Sequence, residues 1–470
     1  MSLGFHIENF GCRAARADGE AVAERLRFAG HADDQPGTAD VVIVNTCSVT
    51  AEADREARAY IRRAHRNNPA ARIVVTGCYA QRAPGELAGL PGVAAVVGNS
   101  HKALAPEIAE RVASTAVEPV SQAANPAFVD LRILATNSSS GSAPIFADDR
   151  FAHSFLEEAQ VVPGAQTRPN LKIQEGCGNR CTFCVIPQTR GGSRSLSAEK
   201  ILAQVRGFVA AGGRELVFSG INLGRWGRDL SPENGIRPTL ARLVRQVFAE
   251  TELFRLRLSS IEPMDWEADL ICLLREFGGS SLARHAHLPL QSGSDSVLRR
   301  MHRRYRPWHY AQKVQALLDA AGPELTLGAD VMVGFPGETD GEFQETLHLI
   351  QQLPFGYLHL FPFSPRPGTP GWELHRTQPV PPAVVEDRMR TLRSLACEKA
   401  RVHRAGAIGR VLECITLHTP DSLRLRGRTA ALTDTFLPVE IEGTWPANLP
   451  MRVLLTGINA TDTLTAYLRQ

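Results

Sequence analysis

Three cysteines in the middle of the chain have the spacing of metal-cluster ligands. Cys177, Cys181 and Cys184 follow a C-x3-C-x2-C pattern within eight residues. Three thiolates so close together can hold three corners of a 4Fe–4S cube. A structural zinc site would need a fourth local Cys or His, and the next cysteine, Cys272, lies far along a predicted helix. The pattern therefore predicts a 4Fe–4S cluster with one iron open to a small molecule.

A second set of three cysteines ends three predicted strands near the start of the chain. Cys12, Cys47 and Cys78 occupy equivalent places in "NFGC", "VNTC" and "VTGC". Neighbouring parallel strands bring their carboxyl ends to one edge of a sheet, where ligands bind. We therefore predict a second three-cysteine cluster site there. The alternative is three small buried apolar residues.

The remaining cysteines have apolar surroundings in the sequence. Cys272, Cys397 and Cys414 lie in apolar helical or strand patterns, which predict core packing. The odd total of nine cysteines argues against a disulfide framework. The opening "MSLGFHIENFGC" has no basic segment followed by an apolar run, so no signal peptide is expected, and no run approaches 18 apolar residues. A cytosolic protein with reduced thiols and no membrane span is therefore expected.

Length and composition indicate a globular protein of two or three domains. The chain has 470 residues, of which 43% are hydrophobic and 21% are charged. The net charge is only +3, but 47 of the 52 basic residues are Arg. Arginine suits phosphate contacts and stacking on bases. Arg-rich codon usage in a GC-rich genome is an equally good explanation.

The predicted secondary structure that must position these cysteines differs between four regions of the chain. Residues 1–117 alternate strands with helices and predict an open α/β domain. Residues 118–168 are rich in Ser, Gly and Pro, which predicts a linker with an ordered strand or two. Residues 169–399 contain six strand–helix units, which predict a parallel sheet curled into a partial barrel. Residues 400–470 carry short alternating strands and predict a small all-β barrel.

The expected strands begin at apolar or alternating runs. In the first domain they are 5–12, 41–50, 72–80 and 93–100, with helices at 18–30 and 51–66. In the partial barrel they are 171–176, 215–222, 255–263, 285–292, 325–335 and 357–364. The first barrel strand leads directly into the C-x3-C-x2-C loop. Loops at the carboxyl ends of barrel strands form active sites.

Several motifs in this order resemble the methylthiotransferases of the radical S-adenosylmethionine superfamily over nearly the whole chain. They are "NTCSVT", "TGCYAQ", "GCGNRCTFCVIPQTRGGSRS", "HLPLQSGSDSVLRRMHRRY", "DVMVGFPGET" and "SPRPGTP". The resemblance implies an N-terminal cluster domain, a partial (β/α)6 radical barrel and a C-terminal TRAM domain of the OB-like kind. One departure lies after Cys12, where Arg13, Ala14 and Ala15 replace the family's Lys-x-Asn.

The resemblance also implies the reaction and its cofactors. S-adenosylmethionine would bind the open iron of the barrel cluster, and its cleavage would give a 5′-deoxyadenosyl radical that removes hydrogen from carbon 2 of an adenine. The N-terminal cluster would supply the sulfur. Such chemistry is delegated to cofactors because acid–base side chains cannot replace that hydrogen. The implied partners are tRNA, a flavodoxin- or ferredoxin-like reductant and a sulfur donor, with no membrane.

Candidate contacts for S-adenosylmethionine end the later barrel strands. By the resemblance, the second strand binds the methionine amino group, and the ends of later strands are candidates for its carboxylate, ribose or adenine. These residues are Ser219, Gly220, Asn222, Glu262, Gln291 and Gly334. Each has an alternative role in capping or turns. Glu338 and Thr339 have the pattern of a helix start.

Clusters of arginine predict the RNA-facing surface. The stretch "RRMHRRYR" lies beside a barrel strand end, and a basic helix follows Cys47 with Arg58, Arg62, Arg63 and Arg66. Arginines at alternating positions of one predicted TRAM strand would share a face. The predicted RNA contacts are Arg190, Arg194, Arg299, Arg303, Arg424, Arg426 and Arg428. Each cluster taken alone is also typical of a solvated face.

Three branches of the family remain to be separated. "NTCSVTAEADREARAYIRR" and "LKIQEGCGNRCTFCVIP" resemble the branch that acts on N6-threonylcarbamoyladenosine in tRNA. The alternatives are the same chemistry on N6-isopentenyladenosine or on an aspartate of a ribosomal protein. Thr50 stands where the isopentenyl branch usually has Arg. A non-catalytic TRAM protein that binds RNA, or a corrinoid-dependent radical methyltransferase, fits poorly because both three-cysteine sets are present. For the threonylcarbamoyl branch, Arg190 or Arg194 is expected to pair with the substrate carboxylate.

Overall fold

The computed structural model describes residues 2–114, 142–153, 167–232 and 235–469. The chain forms two compact units. The first unit contains Met1–Gln160, Glu175–Arg180 and Cys184–Ser193, and the second unit contains Val161–Gln174, Cys181–Phe183 and Arg194–Gln470. The linker predicted at 118–168 lies largely outside the described residues.

A parallel sheet forms the core of the first unit. Its strands are β1 (Gly4–Asn9), β2 (Ala32–Asp33), β3 (Val41–Thr46), β4 (Arg72–Gly77), β5 (Val93–Gly98) and β6 (Ile145–Phe146). They stand in the order β2-β1-β3-β4-β5-β6, with every neighbouring pair parallel. This is the doubly wound arrangement, in which ligands bind where the strand order reverses, between β1 and β3. The open α/β domain predicted from the sequence is confirmed.

Helices cover both faces of this sheet. They are α1 (Arg13–Phe28), α2 (Ala51–Asn67), α3 (Cys78–Arg82), α4 (Pro84–Ala88) and α5 (Ala105–Ser114). One apolar cluster joins alternate strand residues to Ala57 and Ile61 of α2, and the other joins the opposite face to Val22 of α1 and Ile108 of α5. Because both faces are buried, all six residues of β3 are buried.

The second unit contains the predicted six barrel strands. They are β7 (Asn170–Glu175), β9 (Glu215–Gly220), β10 (Arg255–Leu258), β11 (His285–His287), β12 (Thr326–Val333) and β13 (Phe355–Pro362), with a short β8 (Arg194–Ser195) at the edge. They form a sheet β10-β9-β7-β8 and a sheet β11-β12-β13, and a bridge between Leu256 and Leu282 lies at their junction. Every long strand pair is parallel. The partial barrel is therefore confirmed.

Helices follow the barrel strands. They are α6 (Ile186–Arg190), α7 (Ala198–Ala210), α8 (Leu240–Glu250), α9 (Ala268–Phe277), α10 (Asp295–Arg300), α11 (Pro307–Ala321), α12 (Asp340–Gln352), α13 (Pro370–Thr377) and α14 (Pro382–Ala405). Thr339 caps α12 in a reciprocal capping box with Glu342, which confirms the predicted helix start. Among the described residues, no helix combines the length and apolar character needed to cross a bilayer.

The inner face of the barrel strands is polar. Leu216 and Leu256 are buried on one face of their sheet, whereas Glu215 and Arg257 occupy alternate positions and so lie on the other face. On the other sheet the corresponding alternate positions hold His287 of β11, Asp330 of β12 and His359 of β13. A polar lining distinguishes this partial barrel from a closed barrel filled with branched apolar side chains.

A closed β-barrel ends the chain. Its strands are β14 (Val411–Thr416), β15 (Arg428–Thr433), β16 (Pro438–Glu442), β17 (Pro450–Ile458) and β18 (Leu464–Leu468), in the order β14-β15-β16-β18-β17. Inward residues such as Leu412, Ile441 and Val453 form its core. Short helix α15 (Asp421–Arg424) precedes β15. The prediction that Arg424 and Arg426 lie on one strand with Arg428 is therefore wrong, because the chain forms a helix and a turn before β15 begins at Arg428.

Buried charges fasten this small barrel to the amino ends of the radical-barrel strands. Arg257, fully buried, bonds Glu215 at 3.1 Å and donates to the carbonyl oxygens of Thr433 and Asp434 at 3.1 and 3.3 Å. Arg284 donates to the Asp434 carboxylate at 2.6 Å. Such pairs are costly to break once desolvated, so the two barrels form one packed body.

Candidate iron–sulfur centres

The cysteines of the first unit follow three adjacent strands. Cys12 is the residue before α1 and lies shortly after β1. Cys47 directly follows β3, and Cys78 opens α3 directly after β4. Because β1, β3 and β4 are parallel neighbours, their carboxyl ends meet at one edge. The structure thus places the three residues where the sequence predicted, at the switch point of the sheet.

Two glycines let the backbone approach closely at this edge. Gly11 has φ +100°, and a Cβ there would lie 2.6 Å from the Cys47 Sγ. Gly77 has φ +102°, and its Cβ would lie 2.2 Å from the Thr46 carbonyl oxygen. A side chain at either position would clash and strain the backbone. The glycine preceding Cys12 and Cys78 is therefore required for the loops to meet.

The electrostatics of Cys47 reflect its neighbours. Burial, followed by the nearby thiolates of Cys78 and Cys12, raises the pKa of Cys47 to about 12. Cys47 and Cys78 are buried, whereas Cys12 is exposed. Like charges gathered in one place need a positive partner. Cationic iron is such a partner, because thiolates are its usual ligands in clusters.

A buried arginine touches this cysteine site. Arg190 Nε donates to Cys78 Sγ at 3.3 Å, and Arg190 Nη1 bonds Asp18 at 3.1 Å and Glu175 at 2.7 Å. Asn99 also donates to Cys78 Sγ at 3.3 Å. Hydrogen bonds to cluster sulfurs tune the reduction potential. Burial lowers the pKa of Arg190, but Cys78, followed by the Glu175 and Asp18 carboxylates, holds it above its usual value.

The predicted RNA role of Arg190 does not agree with this geometry. Its side chain is 1% exposed, and two carboxylates already match its charge. Asp18 is shared with the buried ammonium of Lys102 at 2.8 Å. A phosphate or substrate carboxylate would have to displace these ions from a buried position. Arg190 therefore belongs to the cysteine site, and the sequence interpretation misplaced it.

Cys177, Cys181 and Cys184 lie in one continuous loop after β7, and all three are half-buried. The amide of Cys177 donates to the Gly191 carbonyl, and Asn179 N donates to Cys177 Sγ at 3.4 Å. Thr182 anchors the loop by bonding the carbonyl oxygens of Arg300 and Met301. The predicted position of this loop, at the carboxyl end of the first barrel strand, is confirmed.

A second buried arginine touches the loop. Arg303 Nη1 donates to Cys181 Sγ at 3.4 Å, while Nη2 forms two bonds with Glu262 at 2.7 and 2.8 Å. Arg303 is 7% exposed, so its predicted contact with RNA is wrong as the structure has it. Glu262 was predicted to bind S-adenosylmethionine, but both of its carboxylate oxygens accept hydrogen bonds from Arg303. Each cysteine set thus has a buried arginine whose charge is matched by carboxylate.

The other candidate cofactor residues lie near the carboxyl ends of their strands. Ser219 is buried near the end of β9, and Asn222 is buried just after it and donates its backbone N–H to the Gln174 side chain at 2.7 Å. A Cβ at Gly220 would meet Gln174 at 2.9 Å, so this glycine serves strand packing. Gln291 has φ +62°, an uncommon conformation for a non-glycine residue that is often found at functional sites.

Gly334 follows β12 at φ +76°, and a Cβ there would lie 2.5 Å from Val385. Its amide donates to Glu338 at 2.8 Å. Glu338 in turn bonds the buried Arg388 at 2.8 Å. The glycine therefore fixes a turn at the strand end, and its contact with a cofactor stays a prediction.

The remaining predicted RNA arginines are more accessible. Arg299 pairs with Asp295 on the surface, and Arg424 and Arg426 are exposed beside the small barrel. Arg428 is half-buried in β15, and Arg194 is half-buried in β8. Their contacts with RNA stay predictions. Among the other cysteines, Cys414 is buried as predicted, whereas Cys397 is exposed because α14 turns most of that surface to solvent.

Sequence reasoning missed the charged partners of the cluster sites and the polar inner face of the barrel. The partner Asp18 lies 172 residues from Arg190, so no local pattern connects them. The inner-face residues did leave a signal. Polar residues at alternate positions interrupt apolar strands in "HAHL", "GADVM" and "YLHLF", and such alternation indicates a lined cavity.

Comparison with known proteins agrees with this architecture. Residues 171–350 match the Radical SAM superfamily, and residues 4–98 match the uncharacterized protein family UPF0004. A radical S-adenosylmethionine methyltransferase, TsrM from Kitasatospora setae, has a similar fold. It has a TM-score of 0.50 and 14% identity, covering 79% of this chain and 74% of that chain.

Curated relatives match almost end to end. The threonylcarbamoyladenosine tRNA methylthiotransferase MtaB of Bacillus subtilis is 34% identical, covering 94% of this chain and 91% of that protein. The Aquifex aeolicus protein of the same name is 32% identical, covering 97% of this chain and 100% of that protein. The tRNA-2-methylthio-N(6)-dimethylallyladenosine synthase of Erythrobacter litoralis is 32% identical, covering 88% of this chain and 86% of that protein.

The donor sets fit the cofactors of this family, which are 4Fe–4S clusters and S-adenosylmethionine. Among the described residues each site offers three thiols and no local fourth ligand, and Arg190 and Arg303 donate to sulfur as expected around a cluster. A transferase with a tRNA substrate follows from the relatives. The full-length similarity and the two cysteine sites together show that the chain belongs to the tRNA methylthiotransferases of the radical S-adenosylmethionine superfamily.

Proposed function

We propose that this chain inserts a methylthio group at carbon 2 of N6-threonylcarbamoyladenosine next to the anticodon of tRNA. The observation that carries the proposal is the end-to-end match with relatives named for that substrate, and the family matches over residues 4–98 and 171–350 span both cysteine sets of this chain. The polar inner face of the radical barrel supports it. An apolar isopentenyl group would leave such polar side chains unpaired, and that mismatch gives strong discrimination.

The residues of this chain would divide the work between the two cysteine sites. Cys177, Cys181 and Cys184 would hold the cluster that binds S-adenosylmethionine, and the N-terminal cysteines would hold the other cluster. When bound, these cofactors supply the radical and the sulfur. Arg303 and Arg190 would then act by donating hydrogen bonds to ligand sulfurs and by keeping positive charge beside each site.

The finer partners are part of the same proposal. A one-electron reductant of the flavodoxin or ferredoxin kind and a sulfur donor would be needed for turnover. Reduced thiols and a tRNA substrate favour the cytoplasm as the compartment. Arg194, Arg299, Arg424, Arg426 and Arg428 are the proposed RNA contacts, with Ser219, Asn222, Gln291 and Gly334 proposed for S-adenosylmethionine.

Substrate choice is tested by direct competition. The reconstituted enzyme is given equal amounts of two otherwise identical tRNAs, one with the threonylcarbamoyl and one with the isopentenyl modification. Mass spectrometry of the digested nucleosides should find methylthio groups almost entirely on the threonylcarbamoyl nucleoside. The second candidate, favoured by the Erythrobacter litoralis relative, predicts the reverse product.

The division of labour has a separate test. Replacing Cys12, Cys47 and Cys78 with Ala should stop methylthiolation while reductive cleavage of S-adenosylmethionine continues. Replacing the three barrel cysteines should stop both reactions. If both triple variants lose cleavage to the same degree, the N-terminal site is structural and the proposal for it fails.

A further inference from the structure

Two histidines and an aspartate meet on the polar inner face of the barrel. His287 lies on β11, Asp330 on β12 and His359 on β13, which are adjacent parallel strands. Asp330 stands directly opposite His359 in the register. Neither cysteine site nor the proposed S-adenosylmethionine contacts use these three side chains.

The three side chains have the spacing of metal ligands. His287 Nε2 lies 3.1 Å and His359 Nδ1 lies 3.2 Å from Asp330 Oδ1, and all three ligand atoms fall within 4.8 Å of one another. Ligands at about 2.0–2.2 Å from a tetrahedral ion are separated by roughly 3.3–3.5 Å. Small side-chain adjustments therefore suffice to admit an ion.

The state of His287 points to a missing ligand. This residue is 5% exposed, and within the described residues its Nε2 lies 3.1 Å from Asp330 Oδ1 without the geometry of a hydrogen bond. A buried polar atom left in this way costs free energy unless something pairs with it. Coordination of a metal ion would give His287 Nε2 a partner. This nitrogen faces the Asp330 carboxylate, which would bind the same ion.

The other nitrogen of His287 also has a hydrogen-bond partner, as the outer nitrogen of a metal-binding histidine almost always does. His287 Nδ1 lies 2.9 Å from Tyr357 Oη, which lies 2.8 Å from His285 Nε2. With Nδ1–H donating to Tyr357, and the tyrosine hydroxyl donating to His285, His287 Nε2 is left unprotonated. An outer hydrogen bond of this kind fixes the ring and raises its basicity as a ligand.

We propose that His287, Asp330 and His359 form a binding site for one divalent transition-metal ion, with zinc as the probe ion. Two imidazoles and one carboxylate suit zinc or ferrous iron and not a sulfur-ligated cluster. Three protein ligands leave at least one position open. The His359 side chain is 61% exposed, so the open position faces solvent, where an anionic oxygen ligand or water can bind.

The test uses the full-length enzyme with both iron–sulfur clusters reconstituted. The protein is dialysed anaerobically against buffered zinc, and zinc and iron are counted together by mass spectrometry. We expect one zinc per chain with no loss of iron. His359→Ala should weaken zinc binding at least about 10-fold, and Tyr357→Phe should weaken it about 10–100-fold. His348→Ala, which removes an exposed histidine from α12, is the matched control and should keep the zinc.

X-ray absorption at the zinc edge identifies the ligands. Only nitrogen and oxygen neighbours are expected around the ion. Sulfur neighbours, or zinc uptake matched by iron loss, would place the ion at a cysteine site and overturn the proposal. It also fails if the wild-type enzyme takes up no zinc, or if His359→Ala binds zinc as tightly as the wild type.

Discussion

Arg190 offers a quantitative test of the N-terminal site. Arg190→Met removes a guanidinium that is 1% exposed and leaves Asp18 and Glu175 without its charge. Removing one partner from a buried ion pair costs about 3–5 kcal/mol. For a unit of this size, about 1 kcal/mol lowers the melting temperature by about 2–4 °C. A fall of roughly 6–20 °C is therefore expected for the first unit.

The measurement is calorimetric unfolding of cluster-free protein, so that loss of iron does not contribute. Glu175→Gln in the same chain should restore part of the loss, because a neutral amide no longer needs the cation. Coupling between contacting residues is typically about 0.5–3 kcal/mol. Arg206→Met is the control, since Arg206 pairs with Glu250 on the surface, where a pair contributes about 0–1 kcal/mol. If both arginine variants shift the transition equally, the argument from buried charge is wrong.

Three further predictions concern the cysteines and RNA. Anaerobic reconstitution should load roughly eight irons per chain from two cubes; Cys177, Cys181 and Cys184 changed together to Ala should leave about half, and full retention would contradict the ligand assignment. In cluster-free protein at neutral pH, the exposed Cys12 should be alkylated faster than Cys47, whose pKa of about 12 keeps it protonated; peptide mass spectrometry over time measures this, and equal rates would refute it. Arg424→Ala with Arg426→Ala should reduce the salt slope of tRNA binding by up to about two, whereas the exposed Arg390→Ala should not; unchanged slopes in both would move the RNA surface elsewhere.

The buried parallel strands could be predicted because their sequences are continuously apolar. β3 and β4 could be predicted locally, since a short β-branched run such as "VVIVNT" is typical of a parallel strand buried on both faces. The cysteines at their ends then follow from topology. The two-residue strand β2 was missed because so short a segment carries no periodic signal, whereas β6 lies in the segment 118–168, where an ordered strand or two was predicted.

The arginines could not be assigned from sequence, because charge does not reveal burial. Arg190 and Arg303 lie in basic, motif-rich stretches that resemble an RNA surface. Each is instead buried and paired with carboxylates from elsewhere in the chain, such as Glu262 for Arg303. Conversely, Cys397 looked like a core residue, but α14 is mostly exposed. Pairing partners distant in sequence decide such cases, and only the fold supplies them.

The buried ion pairs and hydrogen bonds between the small β-barrel and the radical barrel bear on whether the C-terminal barrel can be removed. Arg255 and Arg257 are fully buried, and their partners include Glu413 and the carbonyl oxygens of Thr433 and Asp434. Cutting the chain after α14 would remove these partners and leave Glu215 as the carboxylate that pairs with both arginines, so part of their buried charge would no longer be matched. The C-terminal barrel is thus not an independent module. A lineage that lost it would first have to replace the arginines of β10 with apolar residues.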